Sequence, residues 1–84
     1  MPRVLMYCTE VCPYCVMAER LLRVKGVLDI EKIRVDLQPE LRIAMVEQTG
    51  RRTVPQIYIG TRHIGGYDEL AALEHSGELT GLLI

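Results

Sequence analysis

The sequence contains neither tryptophan nor phenylalanine, and four tyrosines supply all of its aromatic side chains. Single-stranded nucleic acid is commonly bound by stacking bases on aromatic rings, so a base-stacking surface is not expected. Basic residues are not in excess either, because ten lysines and arginines stand against eleven acidic residues, for a net charge of −1. The scattered charges argue against an electrostatic nucleic-acid surface.

Long apolar runs are also missing, and a secretory leader is not expected. No stretch approaches the length that spans a bilayer, and the N-terminus lacks the basic start and apolar core of a signal peptide. We therefore expect a cytoplasmic protein with no membrane partner. With 84 residues, of which 49% are hydrophobic and 25% charged, the chain is expected to form one globular domain over residues 1–84.

What the sequence does contain is a group of three cysteines, Cys8, Cys12 and Cys15, in the segment YCTEVCPYC. Cytoplasmic thiols are kept reduced, so a structural disulfide is not expected here. The spacing fits three uses. Cys12 and Cys15 form a C-x-x-C redox pair, the same residues could be half of a zinc site, and all three could hold three irons of a [4Fe–4S] cluster.

Hydrophobic periodicity and turn residues predict the order β-α-β-α-β-β-α, which fits a single mixed sheet flanked by helices. In the first helix, Met17, Leu21 and Val24 share one face, with Ala18 and Leu22 beside them. Asp68 is predicted to cap the third helix. The predicted elements are strand 3–7, helix 13–26, half-exposed strand 32–37, helix 39–50, strands 54–59 and 62–64, helix 68–75 and a final helical turn or two within 78–84.

The two metal hypotheses are disfavoured. Radical enzymes that use S-adenosylmethionine need a barrel of about 200 residues or more, which this chain cannot form. A zinc site needs four ligands, and the fourth would have to be His63 or His75, since no second C-x-x-C or H-x-x-x-H is present. A dedicated metal site is not expected.

The redox hypothesis is favoured by position. Pro13 is typical of the first residue of a helix, which places Cys12 at the N-cap and Cys15 in the first turn. Free N–H groups and the helix dipole stabilise an anion there, so the pKa of an exposed Cys12 thiol should fall well below the value of about 8.5 for free cysteine. Cys15, more buried, could then attack a mixed disulfide formed by Cys12.

Three motifs together resemble the glutaredoxin family, and most closely its short bacterial dithiol members: C-P-Y-C at 12–15, T-V-P at 53–55 and G-G-Y-D at 65–68. The resemblance spans essentially the whole chain. It implies a thioredoxin-like α/β fold with a mixed four-stranded sheet. It also implies glutathione as co-substrate and electron donor, and reduction of protein disulfides or of glutathionylated proteins.

The resemblance assigns Cys12 as nucleophile and Cys15 as the residue that resolves disulfides. The Val54 backbone would pair with glutathione in strand fashion, and a cis peptide would precede Pro55. The γ-glutamyl carboxylate would bind at a helix N-terminus. The glutathione-binding residues that it implies are Tyr14, Arg52, Thr53, Val54, Pro55, Gly66, Tyr67 and Asp68.

Several residues depart from the family pattern. Thr9 stands where many relatives have a lysine that contacts glutathione, and Arg52 or Arg51 is a candidate to replace its charge. Glu69 stands where aspartate is usual, and Tyr67 where cysteine is common. Cys8 is interpreted as a small buried residue that ends the first strand.

Two rival functions follow from the same resemblance. Some relatives dimerise around a [2Fe–2S] cluster with glutathione as ligand, but Pro13 stiffens the turn where such carriers usually have glycine or serine. A redoxin reduced by thioredoxin reductase is the second rival, and G-G-Y-D argues against it because that element has no role without a γ-glutamyl group. We expect a monomer whose partners are glutathione and disulfide-containing or glutathionylated proteins, with no metal required.

Overall fold

Four strands and four helices follow one another in the computed structural model, which describes all residues from 1 to 84. The predicted order is confirmed, and the final segment forms a separate short helix. No helix is long and apolar enough to cross a membrane. The elements are β1 Val4–Cys8, α1 Pro13–Val24, β2 Ile30–Arg34, α2 Pro39–Thr49, β3 Gln56–Ile59, β4 Arg62–Gly65, α3 Tyr67–Ser76 and α4 Glu78–Leu82.

The strands form one mixed sheet in the order β2-β1-β3-β4. β1 pairs in parallel with β2 and antiparallel with β3, and β3 pairs antiparallel with β4. Parallel neighbours need a crossover connection, which α1 provides, whereas β3 and β4 are joined directly as a hairpin. The start of α1 therefore follows the C-terminal end of an inner strand, β1.

Successive residues of β1 point to opposite faces of the sheet, and each face carries its own core. Val4, Met6 and Cys8 belong to a cluster of 14 buried residues that includes side chains of α1, α3 and α4. Tyr7 belongs to a smaller cluster on the other face, with Val35 and with Met45 of α2. The smaller core holds α2 through one fully buried side chain.

The predicted inner face of α1 is wrong for two of its residues, whereas Leu21 packs against the core. Met17 is 41% exposed and Val24 is 82% exposed, whereas Cys15, Ala18 and Leu22 are buried. The buried residues recur at intervals of three and four and form a neighbouring stripe of the same helix. Because Cys15 must lie inward beside Cys12, the helix is rotated so that this stripe faces the sheet.

The boundaries of β2 and β3 also differ from the prediction. Pairing with β1 runs from Ile30 to Arg34, and Leu37, predicted to continue the strand, is 67% exposed in the turn before α2. β1 ends at Cys8, whose carbonyl oxygen accepts a hydrogen bond from the N–H of Val35 at 3.0 Å, so residues after Val35 have no strand beside them. β3 likewise begins at Gln56 rather than at Val54, because Gln56 is the first of its residues that pairs with β1.

Asp68 does not cap α3 as predicted. The N-cap is Gly66, and Asp68 lies in the first turn of the helix. The carboxylate of Glu69, three residues after the cap, accepts a hydrogen bond from the backbone N–H of Gly66 at 2.7 Å. A glutamate at this position reaches back to the cap as in one half of a capping box, which leaves the side chain of Asp68 free to face solvent.

Candidate active site

Cys12 occupies the N-cap of α1, as predicted. Its backbone is extended (φ −147°, ψ 95°), and Pro13 begins the helix. The backbone N–H of Cys15 donates a hydrogen bond to Cys12 Sγ at 3.1 Å. The first turn of the helix therefore aims a donor at the sulfur, and the same N–H would stabilise a thiolate when Cys12 is reduced.

Cys12 and Cys15 are joined by a disulfide, with Cα atoms 5.2 Å apart. Formation of this bond shows that the C-x-x-C pair can close within one helical turn. Cys12 is 9% exposed and Cys15 5%, so the order of exposure is as predicted. The prediction that the Cys12 sulfur is exposed is nevertheless wrong for this oxidised state, because the disulfide bond directs Cys12 Sγ toward Cys15.

Beside the disulfide lies a groove with a volume of about 310 Å³. One wall is the T-V-P segment, whose Val54 carbonyl oxygen lies 3.8 Å from Cys12 Sγ. The peptide bond before Pro55 is cis, as the resemblance implied. Seven of the eight residues assigned above to glutathione line this groove, together with two others. The lining residues are Tyr14, Arg51, Thr53, Val54, Pro55, Gly66, Tyr67, Asp68 and Glu69.

Arg52 is the predicted residue that does not line the groove. It is exposed, and its carbonyl oxygen accepts a hydrogen bond from Arg42 at 3.1 Å. Arg51 lines the groove instead, and the backbone N–H of Arg51 donates a hydrogen bond to the hydroxyl oxygen of Thr49 at 3.0 Å. The two arginines are adjacent, and only the fold of the chain after α2 distinguishes them.

Arg51 forms an ion pair with Glu69, with Nη1 and Oε1 2.8 Å apart. The pKa of the Glu69 carboxyl is lowered, mainly by the hydrogen bond from Arg51 and then by the N–H of Gly66. The pair lies across Gly65, where a Cβ atom would stand 2.5 Å from Glu69 Oε1 and 2.9 Å from Arg51 Nη1. Gly65 also has φ +114°, so both space and conformation require glycine here.

Two tyrosines mark the rim of the groove. Tyr14 follows Pro13 in the first turn of α1 and is 59% exposed, and Tyr67 begins α3. Their ring centroids are 6.3 Å apart. The groove therefore runs between the N-termini of two helices, both of which present backbone N–H groups at this end of the molecule.

Cys8 ends β1 and is buried, as interpreted from the sequence. Burial raises the pKa of its thiol, against the opposing effect of Lys32 and Arg34. Cys8 lines a separate cavity of about 200 Å³ with Cys12 and Cys15. A neutral thiol at this position is a poor nucleophile, so Cys8 is distinct in chemistry from the C-x-x-C pair.

The two histidines weighed as zinc ligands lie in different settings. His63 is in β4, with Nε2 2.8 Å from Gln56 Oε1. His75 is exposed near the end of α3. Neither histidine ring forms a hydrogen bond with a cysteine sulfur.

Comparison with known proteins decides the family. The family model "Glutaredoxin" matches residues 4–64, from β1 to β4. The chain belongs to the glutaredoxin family. Members of this family are thiol–disulfide oxidoreductases, and the closed Cys12–Cys15 pair agrees with that activity.

Individual glutaredoxins match over nearly the full chain. A glutaredoxin of Pseudomonas aeruginosa is 51% identical over 99% of this chain and 98% of its own length. Glutaredoxin 3 of Escherichia coli is 45% identical and covers 99% of both chains. These similarities extend past the family match into α3 and α4, so the G-G-Y-D segment lies within them.

Solved glutaredoxin structures share the fold. The solution structure of glutaredoxin from Brucella melitensis has a TM-score of 0.86 and 47% identity, covering 99% of this chain and 89% of that one. A buckwheat glutaredoxin–glutathione complex has a TM-score of 0.89 and 28% identity, covering 98% and 76%. The predicted thioredoxin-like fold is confirmed.

Proposed function

We propose that this glutaredoxin uses glutathione to reduce protein disulfides and glutathione mixed disulfides. The observation that carries the proposal is the groove beside Cys12, where the T-V-P segment, Tyr14 and the start of α3 converge within reach of one sulfur. The buckwheat relative with the same fold was solved as a complex with glutathione.

In the monothiol reaction, the Cys12 thiolate attacks the glutathione sulfur of a glutathionylated protein. The mixed disulfide breaks, the protein leaves as a thiolate that takes up a proton, and Cys12 becomes glutathionylated. A second glutathione thiolate then attacks the bound glutathione sulfur. Oxidised glutathione leaves and the Cys12 thiolate is regenerated.

In the dithiol reaction, Cys12 attacks a protein disulfide and forms a mixed disulfide with one of its cysteines. Cys15 then attacks Cys12 Sγ, which releases the second protein thiol and closes the Cys12–Cys15 bond seen in the structure. Two glutathione molecules reopen that bond and leave as oxidised glutathione. Each pathway transfers two electrons.

We further propose which parts of the groove would contact glutathione. The Val54 backbone would pair with the glutathione peptide as an added strand. The N-terminus of α3, with Tyr67 and Asp68, would receive the γ-glutamyl group, whose carboxylate favours free N–H donors. We propose Arg51, rather than Arg52, as the arginine that supplies positive charge to the groove, because Arg51 lines it.

The proposal is tested by glutathione-coupled reduction of a glutathionylated peptide. Cys12→Ser should abolish turnover, whereas Cys15→Ser should retain it, because the monothiol pathway does not use Cys15. Reduction by thioredoxin reductase is measured in parallel as the rival electron source. Activity that survived in Cys12→Ser, or turnover supported only by thioredoxin reductase, would contradict the proposal.

A second measurement addresses the thiolate itself. In the reduced protein, the rate of alkylation by iodoacetamide is followed against pH for each cysteine by mass spectrometry. Cys12 should react with a pKa well below about 8.5, because it lies at a helix N-terminus. Cys8 is an internal reference that should react slowly, since burial raises its pKa. Titration of Cys12 as an ordinary thiol would remove the basis of the mechanism.

A further inference from the structure

Gln56 is the only buried polar side chain in the protein, with an exposed fraction of 0%. It begins β3 directly after Pro55, where its backbone pairs with Tyr7 of β1. A buried carboxamide is costly unless all of its donors and acceptors have partners. The contacts of Gln56 therefore explain how a polar side chain can be buried at this point.

The carboxamide of Gln56 joins two segments. Its Nε2 donates to the carbonyl oxygen of Thr53 at 2.9 Å and lies 3.4 Å from the Thr53 hydroxyl. Its Oε1 lies 2.8 Å from Nε2 of His63. A carbonyl oxygen can only accept, so the amide nitrogen must face Thr53 and the amide oxygen must face His63. His63 Nε2 is then the donor.

His63 is held in place from a second side. It pairs with Tyr58 across the β3–β4 hairpin, and the two rings lie 5.1 Å apart between centroids. Burial, and then the positive charge of Arg51, lower the pKa of His63, while Glu69 opposes them. The lowered pKa favours the neutral ring, in which the hydrogen bond to Gln56 places the proton on Nε2. The imidazolium would also donate from Nε2, so the hydrogen bond does not depend on protonation.

We propose that Gln56 and His63 are positioning residues that hold the T-V-P segment in the geometry needed to bind glutathione. Through the amide of Gln56, β4 fixes the carbonyl group of Thr53, the residue before Val54. The Val54 carbonyl in turn lies 3.8 Å from Cys12 Sγ. This inference rests on the proposed function, because the substrate that it serves is glutathione.

The arrangement separates binding from the reactivity of the sulfur. Neither Gln56 nor His63 forms a hydrogen bond with Cys12, whose donor is the N–H of Cys15. Loosening of Thr53 should therefore weaken glutathione binding and leave the ionisation of Cys12 unchanged. A purely structural role would instead lower stability without a selective effect on KM.

The test measures kcat and KM for a glutathionylated peptide in Gln56→Leu and His63→Leu. Each should raise KM about five- to tenfold, the effect of one lost hydrogen bond, with kcat at saturation little changed. Gln38→Leu and His75→Leu are matched controls, because both residues are exposed and lie outside the groove. Both controls should keep the KM of the unmodified protein.

Two further variants test the connection itself. His63→Gln keeps an N–H donor at similar reach and should restore KM to within about twofold of the unmodified protein. The double variant Gln56→Leu/His63→Leu should have a KM no higher than that of the more affected single variant, since both substitutions break the same link. Nitrogen NMR of the His63 ring should show the Nε2–H tautomer, and this preference should weaken in Gln56→Leu.

An unchanged KM in folded Gln56→Leu and His63→Leu would overturn the inference, as would an additive double variant or a slower alkylation of Cys12. Should Gln56→Leu fail to fold, the comparison of His63→Leu with His63→Gln decides the matter. A wild-type protein that turned over without glutathione would overturn the proposed function, and this inference with it. An active wild type with unresponsive variants would overturn the inference alone.

Discussion

Glu69 connects three parts of the groove through a single carboxylate oxygen. Its Oε1 accepts a hydrogen bond from the N–H of Gly66 at 2.7 Å and pairs with Arg51 at 2.8 Å. This oxygen lies in the space that a Cβ atom at Gly65 would need. An aspartate at this position would be one methylene shorter. The longer side chain thus both caps α3 and holds an arginine that is 18 positions away in the sequence.

The charge of Glu69 should contribute to stability in a pH-dependent way. Its pKa is lowered in the folded protein from an ordinary value of 4.5, so the contribution is fully present above 4.5 and is lost as the pH falls through the folded pKa. Glu69→Gln should lower the urea midpoint at about pH 7, and the difference from wild type should shrink toward about pH 3.

Glu47→Gln is the matched control for that experiment, since Glu47 is an exposed glutamate that forms no ion pair in the structure. It should leave the urea midpoint close to wild type at both pH values. A difference for Glu69→Gln that stayed constant across the pH range would show that the charge is not responsible.

Helix α1 packs through a narrow stripe rather than through its most hydrophobic side. Ala18 and Leu22 are fully buried against the sheet, and Val24 projects into solvent. Ala18 belongs to the larger core together with Cys8 of β1 and Cys12 at the N-cap. The packing of α1 and the position of Cys12 therefore depend on the same buried side chains.

Substitutions on the buried and exposed sides of α1 should differ in their effect on stability. Leu22→Ala should lower the free energy of unfolding by about 2–5 kcal/mol, because it leaves a cavity in the larger core. Val24→Ala should change it by less than about 0.5 kcal/mol, because the side chain is exposed. Urea unfolding of both variants measures the difference, and similar losses for the two would contradict the observed rotation of the helix.

The two faces of the sheet are unequally covered in the molecule as a whole. Fourteen buried residues join α1, α3 and α4 to one face. Only three, Tyr7, Val35 and Met45, form the core beneath α2 on the other face. The hydroxyl of Tyr7 adds a hydrogen bond to Gln48 of α2 at 2.6 Å. The active site is built on the better-covered face.

This asymmetry predicts that α2 opens before the rest of the protein. Regions with few buried apolar contacts exchange their amide protons through local opening at lower free energy than global unfolding. Native-state hydrogen exchange at increasing urea should therefore give smaller opening free energies for α2 than for β1 and α1. Equal values for all three elements would show that the small core is as tightly coupled as the large one.

Much of this protein follows from patterns that are local in the chain. Pro13 and the spacing of the cysteines predict the N-cap thiol, because a helix start depends on the residues of its own first turn. The order of strands and helices follows in the same way from hydrophobic periodicity and from turn residues. The three motifs were sufficient to indicate the family and the cis bond before Pro55, both of which are confirmed.

Other features were decided only when distant segments came together. The buried stripe of α1, the end of β2 at Arg34 and the choice of Arg51 over Arg52 were all predicted otherwise or left open. Each depends on sheet register or on the approach of residues far apart in sequence, such as Arg51 to Glu69. Local propensity contains no information about such contacts, because they form only when the fold brings together segments that are separate in the chain.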